Sequence, residues 1–112
     1  MKPTTATDSF FACDLRIGTI VAAESLPKAR KPAWVLQIDF GPLGTLKSSA
    51  QLTMRYTPEN LIGRQVVAVV NFPPLQVGNL QSQCLVLGGI PGEGDVVLLE
   101  PGEPVPNGTV VS

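Results

Sequence analysis

The sequence contains no histidine. That absence excludes Ser-His and Cys-His catalytic pairs and every imidazole metal site, and it removes the side chain that most often moves protons near neutral pH. Two cysteines, Cys13 and Cys84, are too few and too isolated for a disulfide framework or a zinc site. No apolar run reaches membrane-spanning length, and residues 1–7 have no apolar core. The sequence therefore predicts a cytoplasmic protein without membrane insertion, without cofactor or metal, and without the commonest acid–base chemistry near neutral pH. Charge is sparse, at 15% of residues, and no Lys or Arg lies beyond Arg64. Residues 1–64 carry eight bases against five acids, a balance of +3, and residues 65–112 carry four acids and no base, a balance of −4. Any polyanion must be met by the first half.

What is present is apolar and short-ranged. Hydrophobic residues make up 44% of the 112 and fall in runs broken by Gly or Pro, which argues for strands over helices. A chain of this length forms one domain, burying about two-thirds of its unfolded surface. Val66-Val67-Ala68-Val69-Val70 is too apolar to leave either side of a strand in water and predicts a central strand, stopped by Asn71-Phe72-Pro73-Pro74. Gln83 to Leu87 is the next strand candidate. Asn71 sits where buried strand meets open loop, and two readings stand: it closes a turn, or it offers donors and acceptors at a barrel mouth.

Toward the N-terminus, Asp8 can cap one helical turn carrying Phe10 and Phe11. Two adjacent aromatics cannot both face one small core, so one docks on a second copy of the protein or packs back on its own barrel. Leu15 to Ala23 reads as a strand, with Gly18 marking a bend or bulge. Leu26 to Pro32 is a proline-bounded loop with Lys28, Arg30 and Lys31 and no acid, either a basic patch or a solvated loop. Trp34, Leu36, Ile38 and Phe40 alternate as the core face of a second strand, and Gly41 to Gly44 turns it into a third, Thr45 to Leu52. That strand shows Lys47, Ser49 and Gln51 on one face, which offers hydrogen bonds or is simply the wet face of a sheet. Ser49 and Lys47 do not make a nucleophile and base: they lie about 6.5 to 7 Å apart along a strand, and nothing apolar would lower the lysine's pKa.

Thr57-Pro58-Glu59-Asn60-Leu61-Ile62-Gly63 carries cap, first-turn proline and terminal glycine, and predicts one short helix between the third and fourth strands. Three strands, a short helix and two strands is the order of a five-stranded OB-fold Greek-key barrel, an all-β (mainly) class. Gly88 to Asp95 lacks the lysine and following helix of a phosphate loop and reads as a turn. Val96 to Leu99 and Pro104 to Val111 are surplus extended segments whose bare edges invite pairing with another subunit.

Leu15-Arg16-Ile17-Gly18-Thr19-Ile20, Ser48-Ser49-Ala50-Gln51, Tyr56 to Gly63, Val69 to Pro74 and Leu85 to Gly89 together resemble the tRNA-binding domain family appended to some methionyl-tRNA synthetases. The tail, Gly94 to Leu99 and Val105 to Gly108, is similar to the family's free-standing bacterial branch of secretion-related chaperones. The resemblance covers about residues 14 to 111. It implies a single domain over 1–112, with an N-terminal arm at 1–13 and a C-terminal extension at 95–112 that close a homodimer. It also implies no enzymatic activity, and binding of tRNA or of extended, unfolded polypeptide. Ser49, Asn71 and Ser82 match the family's binding positions, and Cys84 stands where synthetase-type domains often carry methionine. The segment between the fourth and fifth strands departs from the family: where several Lys or Arg are common, Pro74 to Gln81 holds none.

One jaw of the expected groove is thus basic, with Lys28, Arg30 and Lys31, and the other is neutral, with Phe72, Leu75, Val77 and Leu80. Each lost phosphate contact lowers the salt slope of RNA binding by about 0.7 to 0.9. The sequence therefore predicts an export-related chaperone for unfolded or pre-secretory polypeptide that binds tRNA in a salt-sensitive way. The rival readings are a tRNA-binding module acting in trans to tRNA-handling enzymes and a structural adaptor.

Overall fold

A computed structural model of the chain describes residues 1–26 and 31–112, so the predicted cations Lys28 and Arg30 lie outside the described residues. The elements run α1 (Asp8–Phe11), β1 (Leu15–Ser25), β2 (Trp34–Asp39), β3 (Thr45–Ala50), α2 (Pro58–Leu61), β4 (Gln65–Val69), β5 (Leu75–Val77), β6 (Leu80–Ser82), β7 (Leu85–Val86), β8 (Gly88–Gly92), β9 (Asp95–Leu98) and β10 (Val110–Val111). The main sheet has the order β3-β2-β1-β4-β7, all antiparallel, with β10 also paired to β1. This is an OB-type all-β barrel, as the strand order predicts.

β4 is buried on both faces, which explains its unbroken apolar run. Val66 and Ala68 face the main core with Ile20, Leu36, Ile38, Phe40, Leu61 and Cys84. Val67 and Val69 face a second cluster with Leu15 and Ile17, covered by Leu87, Val105 and Val111. The alternation in β2 places Leu36, Ile38 and Phe40 in full burial. α2 is fixed by a reciprocal cap: the Thr57 hydroxyl accepts from Asn60 N, and Asn60 Oδ1 accepts from Thr57 N at 3.0 Å. Its Leu61 is fully buried and plugs the barrel.

Several expectations are corrected. Gly18 is not the bulge. The register slips between Ile20 and Ala22, leaving Val21 exposed and turning Ala23 inward opposite Leu36. Gly18 instead makes room: a Cβ there would stand 2.7 Å from both Ile38 Cγ2 and Phe40 Cδ1. The cap of α1 is Thr7, with Asp8 already in the first turn. The segment after the two prolines pairs after all, as the β5–β6 hairpin, because proline bars only its own position from donating. Gly88–Gly92 is a strand paired with β9, and the turn is confined to Glu93 and Gly94 between them.

The surplus segments are held by their own barrel. Gln65 clamps Val105 through both ends of its amide (Nε2 to Val105 O, 2.7 Å; Val105 N to Oε1, 3.0 Å), and Thr19 Oγ1 donates to Asn107 Oδ1 at 2.7 Å. Gly108 N donates to Ile17 O at 2.7 Å, and β10 follows alongside β1. Each surplus strand thus has one ladder partner within the chain, β8 for β9 and β1 for β10.

Candidate ligand-binding site

The sheet closes into a barrel between β3 and the residues joining β6 to β7, and side chains carry much of that seam. Gln83 N donates to Lys47 O at 2.8 Å, while Lys47 N donates to the Gln83 side chain at 2.9 Å. Ser49 N donates to Ser82 Oγ at 3.1 Å, and Ser48 Oγ donates to Cys84 O at 3.0 Å. Leu85 and Val86 go on to pair with β4, and Leu87 N donates to Val67 O at 2.9 Å. The predicted fifth strand, Gln83 to Leu87, is therefore split: its first residues belong to the seam.

Beside the seam lies a cavity of about 240 Å³ lined by Phe72, Pro73, Leu75, Ser82, Gln83, Cys84 and Leu85. Four predicted site residues, Phe72, Leu75, Ser82 and Cys84, meet there. Phe72, Leu75 and Leu85 are 45%, 66% and 50% exposed, so the cleft presents apolar surface to solvent and no charge. Cys84 itself faces the core, where burial pushes its thiol up to about 11 despite the Ser48 hydroxyl beside it. It is an inert wall and not a nucleophile.

The other predicted residues divide. Val77 and Leu80 are half-buried against Leu26, Ala33 and Val35, so they anchor the β5–β6 hairpin onto the residues flanking the basic loop. Asn71 is exposed, yet both ends of its amide are engaged: Asp14 N donates to Oδ1 at 2.8 Å, and Nδ2 donates to Ala12 O at 2.9 Å. It ties the N-terminal arm to the end of β4, a long-range contact distinct from the local turn closure that is one of its two expected roles. Lys47 and Gln51 are exposed on and just after β3, with Ser49 half-buried between them. Phe10 and Phe11 pack edge-to-face, ring centres 5.3 Å apart, and both remain exposed.

A second cavity, about 370 Å³, is lined by Lys31, Pro32, Gln51, Thr53, Met54 and Gly94. Sequence reasoning singled out Lys31 and Gln51 but missed Met54 and Thr53, which lie in a stretch without strand or helix periodicity. Pro73 and Leu85 in the first cavity were missed as well. Among the described residues three arginines are consumed in ion pairs, Arg16 with Asp14, Arg55 with Asp95 and Arg64 with Glu100. The last two pairs join the basic first half to the acidic second half and cancel part of the charge split. Lys31 and Lys47 form no ion pair with a described residue. Among the described residues no cluster of His, Cys, Asp and Glu could hold a metal, and no helix is long and apolar enough to cross a membrane.

Comparison with known proteins places this geometry. Residues 15–110 match the family described as "Putative tRNA binding domain". The crystal structure of the chaperone CsaA from Bacillus anthracis superposes with a TM-score of 0.95 at 55% identity, covering 98% of this chain and 100% of that one. The CsaA chaperone protein from Picrophilus torridus gives 0.90 at 38% identity, covering 97% and 100%. The methionine–tRNA ligase of Methanococcoides burtonii is 36% identical over 93% of this chain, which spans only 15% of that enzyme's length. The chain belongs to the tRNA-binding domain family, and its fold is that of the CsaA chaperones.

Proposed function

We propose that this is a non-enzymatic, homodimeric binding protein, an export-related chaperone of the CsaA kind, which holds unfolded or extended polypeptide and binds tRNA more weakly. The observation that carries the reading is the uncharged cleft of Phe72, Pro73, Leu75 and Leu85 beside a hairpin with no cation. Such a surface suits apolar side chains and gives phosphates nothing to pair with. β5 has one ladder partner, β6, so its outer edge can receive an extended main chain. The exposed Phe10 and Phe11 suit the contact with a second copy, and the cytoplasm suits a chain of this composition.

The test is light scattering from a thermally unfolding client. Wild type suppresses aggregation, and a Phe72→Ser, Leu75→Ser double variant with normal circular dichroism does not. Equal suppression by both would remove the cleft from the account. A second reading, a tRNA-binding module acting in trans to tRNA-handling enzymes, is favoured by the kinship with the ligases' domain and by the exposed Lys31 and Lys47. Tight tRNA binding at physiological salt with no client protection would favour it.

A further inference from the structure

The two cavities share no lining residue, and they differ in chemistry. The cleft at Phe72 and Leu75 is apolar and uncharged; the one at Lys31 and Met54 combines a cation, an amide, a hydroxyl and two flat or flexible apolar surfaces. Both adjoin the C-terminal half of β3. Lys47 and Ser49 of β3 are bonded to the seam at the first cleft, while Gln51, just past the strand's end, lines the second.

We infer that the cleft of Lys31, Pro32, Gln51, Thr53 and Met54 seats an unstacked nucleotide of single-stranded RNA, separately from the polypeptide cleft, so that both ligands are held at once. This deepens the RNA-binding half of the function proposed above and rests on it. The parts match the ligand. Lys31 meets a phosphate, Gln51 and Thr53 supply donors and acceptors for a base edge, and Pro32 and Met54 offer surfaces on which a base lies flat. Met54 is 63% exposed, so its apolar surface is displayed and not part of the core. The volume falls within the range of about 300 to 1,000 Å³ usual for small-ligand sites.

Among the described residues no acid lines the cleft. Of the two acids flanking Gly94, Asp95 is gripped at both oxygens by Arg55, and Glu93 is exposed. Gly94 has a φ of +72°, a backbone conformation that favours glycine at this edge of the cleft, where a Cβ would make only ordinary contact with Met54 Cε at 3.9 Å.

The experiment uses fluorescein-labelled oligouridylate and a carboxymethylated, permanently unfolded polypeptide as probes of the full-length protein, read by anisotropy. Met54→Glu is expected to weaken oligouridylate by at least about tenfold, since a like charge then faces the phosphates. Polypeptide binding should be unchanged. Lys31→Ala should lower the salt slope for the oligonucleotide by about 0.7. Leu75→Asp should do the reverse, releasing polypeptide and sparing RNA. Saturating polypeptide should leave the oligouridylate isotherm in place. Displacement of oligouridylate by polypeptide, or loss of both ligands in Met54→Glu with the fold intact, would show one shared groove and overturn the inference alone. Absence of any RNA binding by wild type at low salt would overturn the RNA half of the proposed function and this inference with it.

Discussion

The hydroxyl oxygen of Ser82 lies 3.1 Å from the backbone nitrogen of Ser49 and accepts its hydrogen bond. On this seam a side chain takes the place that a strand carbonyl holds elsewhere in the barrel. Ser82→Ala leaves the half-buried Ser49 amide without that partner, at a cost of about 1 kcal/mol. The expected fall in melting temperature is about 4 to 8 °C, read by circular dichroism. An unchanged melting temperature would show that water or a neighbouring group replaces the bond.

Gly18 faces Ile38 and Phe40, both fully buried. Gly18→Ala therefore overpacks the core and should destabilise the domain by about 1 to 3 kcal/mol, measured as a shift of the urea midpoint. A bulge glycine at an open position would tolerate alanine, so a neutral result would contradict the packing role.

Asn71 bonds both Asp14 and Ala12, and Val70 N adds a third bond by donating to Asp14 O at 2.9 Å. Asn71→Ala should release the N-terminal arm: hydrogen exchange at the Asp14 amide accelerates while the barrel amides keep their protection. Loss of ligand binding with unchanged exchange at Asp14 would make Asn71 a direct contact instead.

Much of this fold is legible in the chain because its strongest signals are local. The alternation of Trp34, Leu36, Ile38 and Phe40 and the two-sided run at Val66 to Val69 each report their own burial, and Thr57 to Gly63 spells out a capped helix. The seam is not legible, because Ser82, Gln83 and Lys47 read as an ordinary polar strand until β3 is laid beside them. The clamp of Gln65 on Val105 and Asn107 spans about forty residues and leaves no periodic trace. For the site, sequence composition pointed to an uncharged lip, but only packing separates Val77 and Leu80, which hold the hairpin down, from Phe72 and Leu75, which face outward.

Burial raises the Cys84 thiol from its ordinary value of 9.0 to about 11. Between those values the unfolded chain loses the proton while the folded chain keeps it. The thiol's contribution is therefore complete below pH 9.0 and is lost as pH rises through about 11. Denaturant midpoints taken across this window should fall more steeply for wild type than for Cys84→Ala, so that the two curves converge. At neutral pH iodoacetamide should label the half-buried Cys13 first and Cys84 only on unfolding.

The central claim is that the exposed cleft at Phe72 and Leu75 is apolar and uncharged and that few cations stand ready to meet RNA. It is tested most directly by anisotropy titrations of labelled tRNA and labelled unfolded polypeptide as salt rises from about 50 to 200 mM. The account predicts that polypeptide affinity holds across the series while tRNA affinity collapses. Tight tRNA binding at the upper end, with no measurable hold on polypeptide, would contradict it.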